Sequence, residues 1–148
     1  MQQVDVDETQ SVSVRIMKGY VTHLERETKK NADFRHVLYT GKNSQLVLMS
    51  LKPGEEIGEE VHQDHDQFFR FEVGQGKVVI DGVDHAVKDG SGVIVPAGAR
   101  HNVVNTSKRA NMRLYTIYSP PEHRDGVVRH TKNEAVASEE HFDGRTTE

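Results

Sequence analysis

Short stretches of alternating hydrophobic and polar residues, separated by turn-forming residues, run through most of the 148-residue chain. The stretches are rich in β-branched, aromatic and aliphatic residues, which favour strands. They cover residues 12–17, 36–40, 45–51, 67–73, 77–80, 92–95 and 112–118. Between two of them, Asp81-Gly82 is typical of a tight hairpin, because such turns need residues that accept a positive φ. Strands about ten residues apart with few helices predict an all-β sandwich or closed barrel.

The two ends of the chain depart from this pattern. Residues 1–10 are polar and predict a flexible N-terminal arm, which leaves residues 11–148 as a single domain. Near the C-terminus, Thr131 and Glu134 have the spacing of a capping box, in which each residue satisfies an amide group at a helix start. This spacing predicts a short helix over about 132–141.

Composition and charge exclude several classes of function. The chain has 19 Lys and Arg against 23 Asp and Glu, a net charge of −4, and no basic stripe, so a nucleic-acid partner is not expected. The absence of cysteine excludes disulfide scaffolds, thiolate zinc sites and cysteine nucleophiles. The N-terminus has no apolar run and no segment is long enough to span a membrane, so a cytoplasmic protein is predicted. Nine histidines point to metal ligands.

Polar residues at the start of a core-facing row suggest where chemistry takes place. Alternate side chains of a strand share a face, so Gln67 lies on the same side as the apolar Phe69 and Phe71. A buried amide needs a hydrogen-bonding partner. Glu60 and His62 are also two residues apart and share a face if this segment is extended. An acid, an imidazole and an amide are thus expected to converge at the mouth of a barrel.

A glycine-, proline- and histidine-containing motif lies between residues 90 and 105. It has the spacing G-x5-P-x-G-x2-H-x3-N and consists of Gly90, Pro96, Gly98, His101 and Asn105. At every one of these positions the sequence resembles the second motif of the cupin superfamily. The resemblance covers roughly residues 34–120, leaving 121–148 as a C-terminal extension. It implies a double-stranded β-helix, the small cupin jelly-roll barrel, with a metal ion inside one end.

The first cupin motif, G-x5-H-x-H-x3,4-E-x6-G, is present in an altered form. Counting from Gly54 and from Gly74 places Glu60 and His62 at the paired-histidine positions and Gln67 at the glutamate position. The metal ligands that the resemblance implies are therefore Glu60, His62, Gln67 and His101. Two imidazoles, one carboxylate and one amide suit a single divalent metal ion such as Fe, Mn, Ni or Zn.

Other roles for these residues stay open at this point. Gln67 is either a metal ligand or a group that holds Glu60 or a water in place. Glu60 has several glutamate neighbours, so a solvated acidic loop is an alternative. His62 and His65 would form a rival ligand pair if their segment were a loop, although His65 is better interpreted as a rim or surface residue. His123 is a weaker candidate for the pocket mouth.

Two classes of function are consistent with a predicted metal-binding barrel. The first is a small metalloenzyme acting on a small oxygenated metabolite, either a dioxygenase (Fe or Ni) or an isomerase or lyase (Zn or Mn). The second is a non-catalytic module that binds or senses a small sugar or organic acid. In either case the guanidinium of Arg100 is a candidate partner for an acid group of the ligand. The resemblance also implies a homodimer, and Phe68 is expected to project outward on the pairing face.

Overall fold

The computed structural model describes residues 15–148. The predicted arm over 1–10 and residues 12–14 of the first predicted strand lie outside this range. Residues 15–17, the remainder of that strand, have no regular secondary structure, so the strand prediction is wrong for them. The side chain of Ile16 is 86% exposed, which shows that this apolar segment does not join a sheet.

The described residues form ten strands and two short helices. In chain order these elements are α1 (Leu24–Lys30), β1 (Arg35–Thr40), β2 (Gln45–Leu51), β3 (Glu60–Val61), β4 (Asp66–Val73), β5 (Gln75–Ile80), β6 (Val83–Lys88), β7 (Gly92–Val95), β8 (Arg100–Asn105), β9 (Met112–Ser119), β10 (Val128–Arg129) and α2 (Lys132–Ala137). Neither helix is long and apolar enough to cross a membrane.

The strands form two antiparallel sheets that enclose the core. One sheet has the order β10-β1-β2-β9-β4-β7, and the other has the order β3-β8-β5-β6. Apolar side chains from both sheets meet between them, including Val47, Met49, Phe69, Phe71, Val78, Val103 and Leu114. This arrangement is the predicted double-stranded β-helix, and the prediction is confirmed.

The inward faces follow the period-two pattern of the sequence. Gln67, Phe69 and Phe71 are buried on the inner face of β4, as predicted. The alternation ends at a register shift between Phe71 and Val73, where β4 pairs irregularly with β9. The sequence did not decide which of the two alternating rows of side chains on β9 faces the core. The structure shows that the inner row consists of Met112, Leu114, Thr116 and Tyr118.

Helix α2 begins where the capping-box spacing predicts. The hydroxyl of Thr131 accepts a hydrogen bond from the amide of Glu134 at 3.1 Å, and the Glu134 carboxylate accepts one from the amide of His130 at 2.7 Å. Two amide groups that the first turn cannot satisfy thereby gain partners. The helix ends at Ala137 rather than at 141.

Helix α1 was not predicted. It contains one strongly apolar residue, Leu24, so it has no hydrophobic periodicity that reveals a helix. Its N-cap is also unusual, because Nδ1 of His23 accepts the hydrogen bond from the amide of Arg26 at 3.2 Å. An ion pair between Glu25 and Lys29 with N–O distance 2.6 Å supports one exposed face.

Two glycines within strands differ sharply in the space around them, and this difference gives a test of the fold. A Cβ on Gly76 would lie 2.1 Å from the carbonyl oxygen of Val104, whereas a Cβ on Gly92 would come no closer than 3.5 Å to any neighbour, the nearest being the ring of Phe68. Because the backbone of Val104 would have to move to relieve this clash, we expect Gly76→Ala to lower the free energy of unfolding by about 3 kcal/mol. Gly92→Ala is the matched control and should change it little. Equal denaturation midpoints for the two variants would contradict this packing.

Candidate metal centre

Three side chains with metal-binding atoms converge where the two sheets face each other. Glu60 on β3 lies directly opposite His101 on β8 in the strand register, and His62 is the residue that immediately follows β3. One ligand atom from each of the three lies within 4.8 Å of the others. Three of the four residues that the sequence placed at the metal thus form one cluster.

The contacts of the two imidazoles indicate which ring nitrogen each one presents to the cluster. Nε2 of His62 lies 3.2 Å from Oε2 of Glu60, and its Nδ1 lies 3.8 Å from a carboxylate oxygen of Glu122. Nδ1 of His101 donates a hydrogen bond to the carbonyl oxygen of Ala99 at 3.1 Å. Metal-binding histidines commonly point the second ring nitrogen at an oxygen in this way, which orients the ring. Both rings therefore present Nε2 to the cluster.

Gln67 reaches this cluster from the opposite sheet. Its side chain is fully buried, its amide nitrogen donates to the hydroxyl of Thr116 at 3.0 Å, and its Oε1 lies 3.1 Å from Nε2 of His101. Both ring nitrogens of His101 thus face oxygens, although a neutral imidazole has only one N–H. A cation between Nε2 and Oε1 satisfies both lone pairs. Without a cation, the Gln67 amide would have to turn round so that its nitrogen donates to Nε2 of His101.

The separations between these atoms also suit one coordination shell. Neighbouring ligands at about 2.1 Å from an octahedral metal lie about 3.0 Å apart. The contact between His62 and Glu60 is 3.2 Å, and the contact between His101 and Gln67 is 3.1 Å. The donor set of two imidazoles, one carboxylate and a nearby amide oxygen therefore fits a divalent metal ion.

The electrostatics of the cluster favour a positive charge. Burial alone would lower the pKa of His62, but the hydrogen bond to Glu60 and the charges of Glu60 and Glu122 outweigh it and raise that pKa. Burial, and then the charge of Glu60, raise the pKa of the Tyr118 phenol, which stays protonated. The ring of Tyr118 lies edge-on to His62 with a centroid separation of 5.8 Å.

Other residues of the second motif have structural roles around the cluster. Gly98 has φ of 87°, a conformation that favours glycine, and its amide donates to the carbonyl oxygen of His62 at 2.8 Å. The side-chain amide of buried Asn105 donates to three backbone carbonyl oxygens, those of Leu51, Lys52 and Ala110. The motif therefore fixes the turn that holds His62 beside His101.

His65 and Arg100 lie outside the cluster. Nε2 of His65 lies 2.9 Å from the Glu122 carboxylate, and its Nδ1 lies 2.8 Å from the carbonyl oxygen of Pro120. Arg100 precedes His101 on β8 and lies on the opposite, outer face. Its side chain is 65% exposed and pairs with Glu59 at 3.2 Å.

The C-terminal extension contributes residues that the sequence motifs did not indicate. The buried side-chain amide of Gln45 accepts a hydrogen bond from the amide of His123 at 2.9 Å and donates to its carbonyl oxygen at 2.7 Å. This anchor places Glu122 beside His62. The only signal for this segment in the sequence was the weak candidacy of His123 for the pocket mouth.

A cavity of about 150 Å³ lies next to the cluster, between β1, β3 and α2. Its walls include one member of the cluster, Glu60, together with the polar side chains of Arg35, Glu122, His123 and Glu140. A small ligand in this cavity would lie adjacent to a metal ion bound by the cluster.

Comparisons with known proteins identify the family. The family model for the cupin domain matches residues 47–118, which include all four predicted ligands. The chain is 46% identical to YrkC of Bacillus subtilis over 129 residues, covering 83% of this chain and 69% of YrkC. It is 41% identical to protein L612 of Acanthamoeba polyphaga mimivirus over 113 residues, covering 74% of this chain and 70% of L612. The crystal structure of BH2720 from Bacillus halodurans superposes with a TM-score of 0.79 at 42% identity, covering 82% of this chain and 96% of BH2720. The chain belongs to the cupin family.

Proposed function

We propose that this protein is a metal-dependent enzyme that acts on a small oxygenated metabolite. Glu60, His62, Gln67 and His101 would hold one divalent ion, which is Fe, Mn, Ni or Zn. The observation that carries the proposal is the cluster of Glu60, His62 and His101, whose ligand atoms lie within 4.8 Å of one another. Nε2 of His62 lies near Glu60 and Nε2 of His101 lies near Gln67, while both Nδ1 atoms face other oxygens. A site with four protein ligands also leaves room for substrate in an octahedral shell.

The bound ion would supply Lewis acidity to a carbonyl or hydroxyl group of the substrate. The surrounding side chains provide groups that hold protons. Tyr118 remains a phenol, and Glu122 lies within ion-pairing distance of His62 and His65. Glu122 also lines the cavity, so it is the carboxylate that we assign to proton transfer with a ligand there.

The reaction class follows from the metal, which elemental analysis of protein purified without added metal would identify. Iron or nickel would favour a dioxygenase, and zinc or manganese would favour an isomerase or lyase. Calorimetric titration of α-hydroxy and α-keto acids against the Fe(II), Zn(II) and metal-free forms, with oxygen uptake followed for Fe(II), tests the enzyme proposal. Equal binding to all forms would favour the alternative, a non-catalytic binding module.

We expect His101→Ala to remove the metal ion without unfolding the domain. His101 supplies one of two imidazoles, and the loss of one ligand should lower metal affinity by at least about tenfold. Metal content and thermal melting are measured beside the parent. His85→Ala, on an exposed position of β6, is the matched control and should keep its metal. Full metal occupancy in His101→Ala would refute the ligand assignment.

Gln67 and His65 are distinguished by a second set of variants. If the Gln67 oxygen is a ligand, Gln67→Ala should weaken metal binding by about tenfold, whereas Gln67→Glu should keep it because a carboxylate oxygen replaces the amide oxygen. His65→Ala should leave metal affinity nearly unchanged, since His65 contacts Glu122 and a backbone carbonyl instead. Metal loss only in His65→Ala would support the rival pair of His62 and His65.

We also propose that the protein forms a homodimer through the outer face of the six-stranded sheet. Phe68 on the outer face of β4 lies opposite Ile94 of β7 on one side and Ile117 of β9 on the other. These three side chains form an apolar row across three strands, and Ile94 is 70% exposed. Burial of this row against a second copy would remove apolar surface from water.

The dimer proposal predicts different effects for two exposed positions. Ile94→Glu should raise the dimer dissociation constant by at least about tenfold, because a charge buried at an interface loses its hydration. Val83→Glu, at a 57% exposed position on the other sheet, should not change it. Analytical ultracentrifugation of both variants and the parent gives the comparison. A monomeric parent, or an Ile94→Glu variant that dimerises normally, would contradict this interface.

A further inference from the structure

We infer that the cavity between β1, β3 and α2 binds a small hydroxy-monocarboxylic acid, and that Arg35 receives its carboxylate. The inference rests on the proposed function, for which it names the substrate class and a specificity-determining residue. It follows from three buried polar side chains that line the cavity, namely Arg35, His123 and Glu140.

Arg35 is a buried cation that has no anionic partner among residues 15–148. It lies on the inner face of β1 and is 8% exposed. Among the described residues, its Nε is buried without a hydrogen bond and its side chain makes no ion pair closer than 4.0 Å. Its guanidinium carbon lies 5.6 Å from the ring centroid of Phe34, a weak substitute for a carboxylate. A buried charge is costly unless it is paired, so this site favours an anionic ligand.

His123 and Glu140 would recognise a hydroxyl group of the ligand, whereas Arg35 would recognise its carboxylate. Nδ1 of His123 and Oε1 of Glu140 lie 3.8 Å apart, and both are buried without a hydrogen-bond partner in the described part of the chain. The other Glu140 oxygen pairs with Arg129 at 2.5 Å, and Nε2 of His123 lies 3.3 Å from the Tyr118 hydroxyl. Burial and the charge of Arg35 lower the pKa of His123 to about 2, so its ring stays neutral. A neutral imidazole beside a carboxylate suits a ligand hydroxyl, which both donates and accepts.

The requirements of the three side chains select one class of ligand. A polyol would leave the charge of Arg35 unpaired, and a dicarboxylate would bring its second charge against Glu122 and Glu140, which also line the cavity. A hydroxy-monocarboxylate would offer its carboxylate to the Arg35 guanidinium and its hydroxyl to His123 and Glu140. The cavity of about 150 Å³ is the size of one that admits benzene, so it suits a ligand of about six or seven heavy atoms.

The cavity adjoins the candidate metal centre. Glu60 belongs to the metal cluster and also lines the cavity. The rings of His62, Tyr118 and His123 follow one another with centroid separations of 5.8 and 5.2 Å. A hydroxy acid held by Arg35 would therefore lie beside the metal. This assigns carboxylate recognition to Arg35 rather than to the outward-facing Arg100.

Calorimetric titration of the metal-loaded protein with glycerate tests this inference. We expect glycerate to bind, and glycerol and malonate to bind at least about tenfold more weakly, because each lacks one of the two recognised groups. Arg35→Met should raise the dissociation constant for glycerate by about tenfold or more while metal content stays unchanged. Arg70→Met is the matched control, since Arg70 pairs with Glu72 on the outer face at 3.2 Å, and should bind glycerate like the parent.

Several outcomes would overturn the inference: no binding of glycerate by the parent, equal binding of glycerate and glycerol, or normal binding by Arg35→Met. If Arg35→Met does not fold, hydrogen exchange of the parent replaces it. Glycerate should then slow exchange at the amides of residues 132–141, and unchanged exchange there counts against the cavity. Arg35-dependent binding of glycerate by metal-free His101→Ala would support the cavity and refute the role of the metal. Metal binding without any glycerate binding would refute the inference about the cavity and leave the proposed metal site standing.

Discussion

The contact between Gln67 and His101 is the polar interaction on which the site depends. The two residues extend from opposite sheets and meet at 3.1 Å in a region where both are almost fully buried. Polar groups in such a place are costly unless they are satisfied. The apolar packing of Phe69 and Phe71 behind Gln67 sets the spacing of the sheets. A core of ordinary hydrophobic side chains therefore determines how closely the ligand atoms approach.

The functional groups are divided between the barrel and the C-terminal extension. The barrel strands carry the candidate metal ligands, while Glu122, His123 and Glu140 belong to the segment that follows the last long strand. Gln45 joins the two parts, because its one side-chain amide satisfies both backbone groups of His123. A single buried amide thus fixes the wall of the cavity relative to the metal cluster, and the extension is part of the site.

The sequence predicted those features that depend on local pattern. Period-two alternation identified the strands of the barrel and the inner row that begins at Gln67, since a strand with one buried face must alternate. The motif spacing brought Glu60, His62 and His101 together because it specifies a turn and a strand register. Helix α1 was not predicted because charged residues dominate it. The strand over 12–17 was predicted from its apolar residues alone, but Ile16 is exposed.

Arg35, Glu122 and Glu140 could not be found in this way. Each lies far from the motifs in sequence and meets the others only because the chain returns across the open edge between β1 and β3 after residue 120. No local pattern records such a meeting. The exposed face of Arg100 illustrates the same limit, because one residue along a strand reverses the side on which a charge lies.

Charge balance connects the two halves of the proposed site. The cavity walls contain four carboxylates, those of Glu60, Glu122, Glu139 and Glu140, against the cations Arg35 and Lys132. This excess of negative charge opposes an anionic ligand, even though Arg35 attracts one. A divalent ion at the cluster would neutralise the excess, and the nearby walls would then tolerate one carboxylate but not two. On the proposed function, metal binding would therefore precede binding of the acid, and Arg35, which has no ion pair within residues 15–148, could then receive a carboxylate in an otherwise negative cavity.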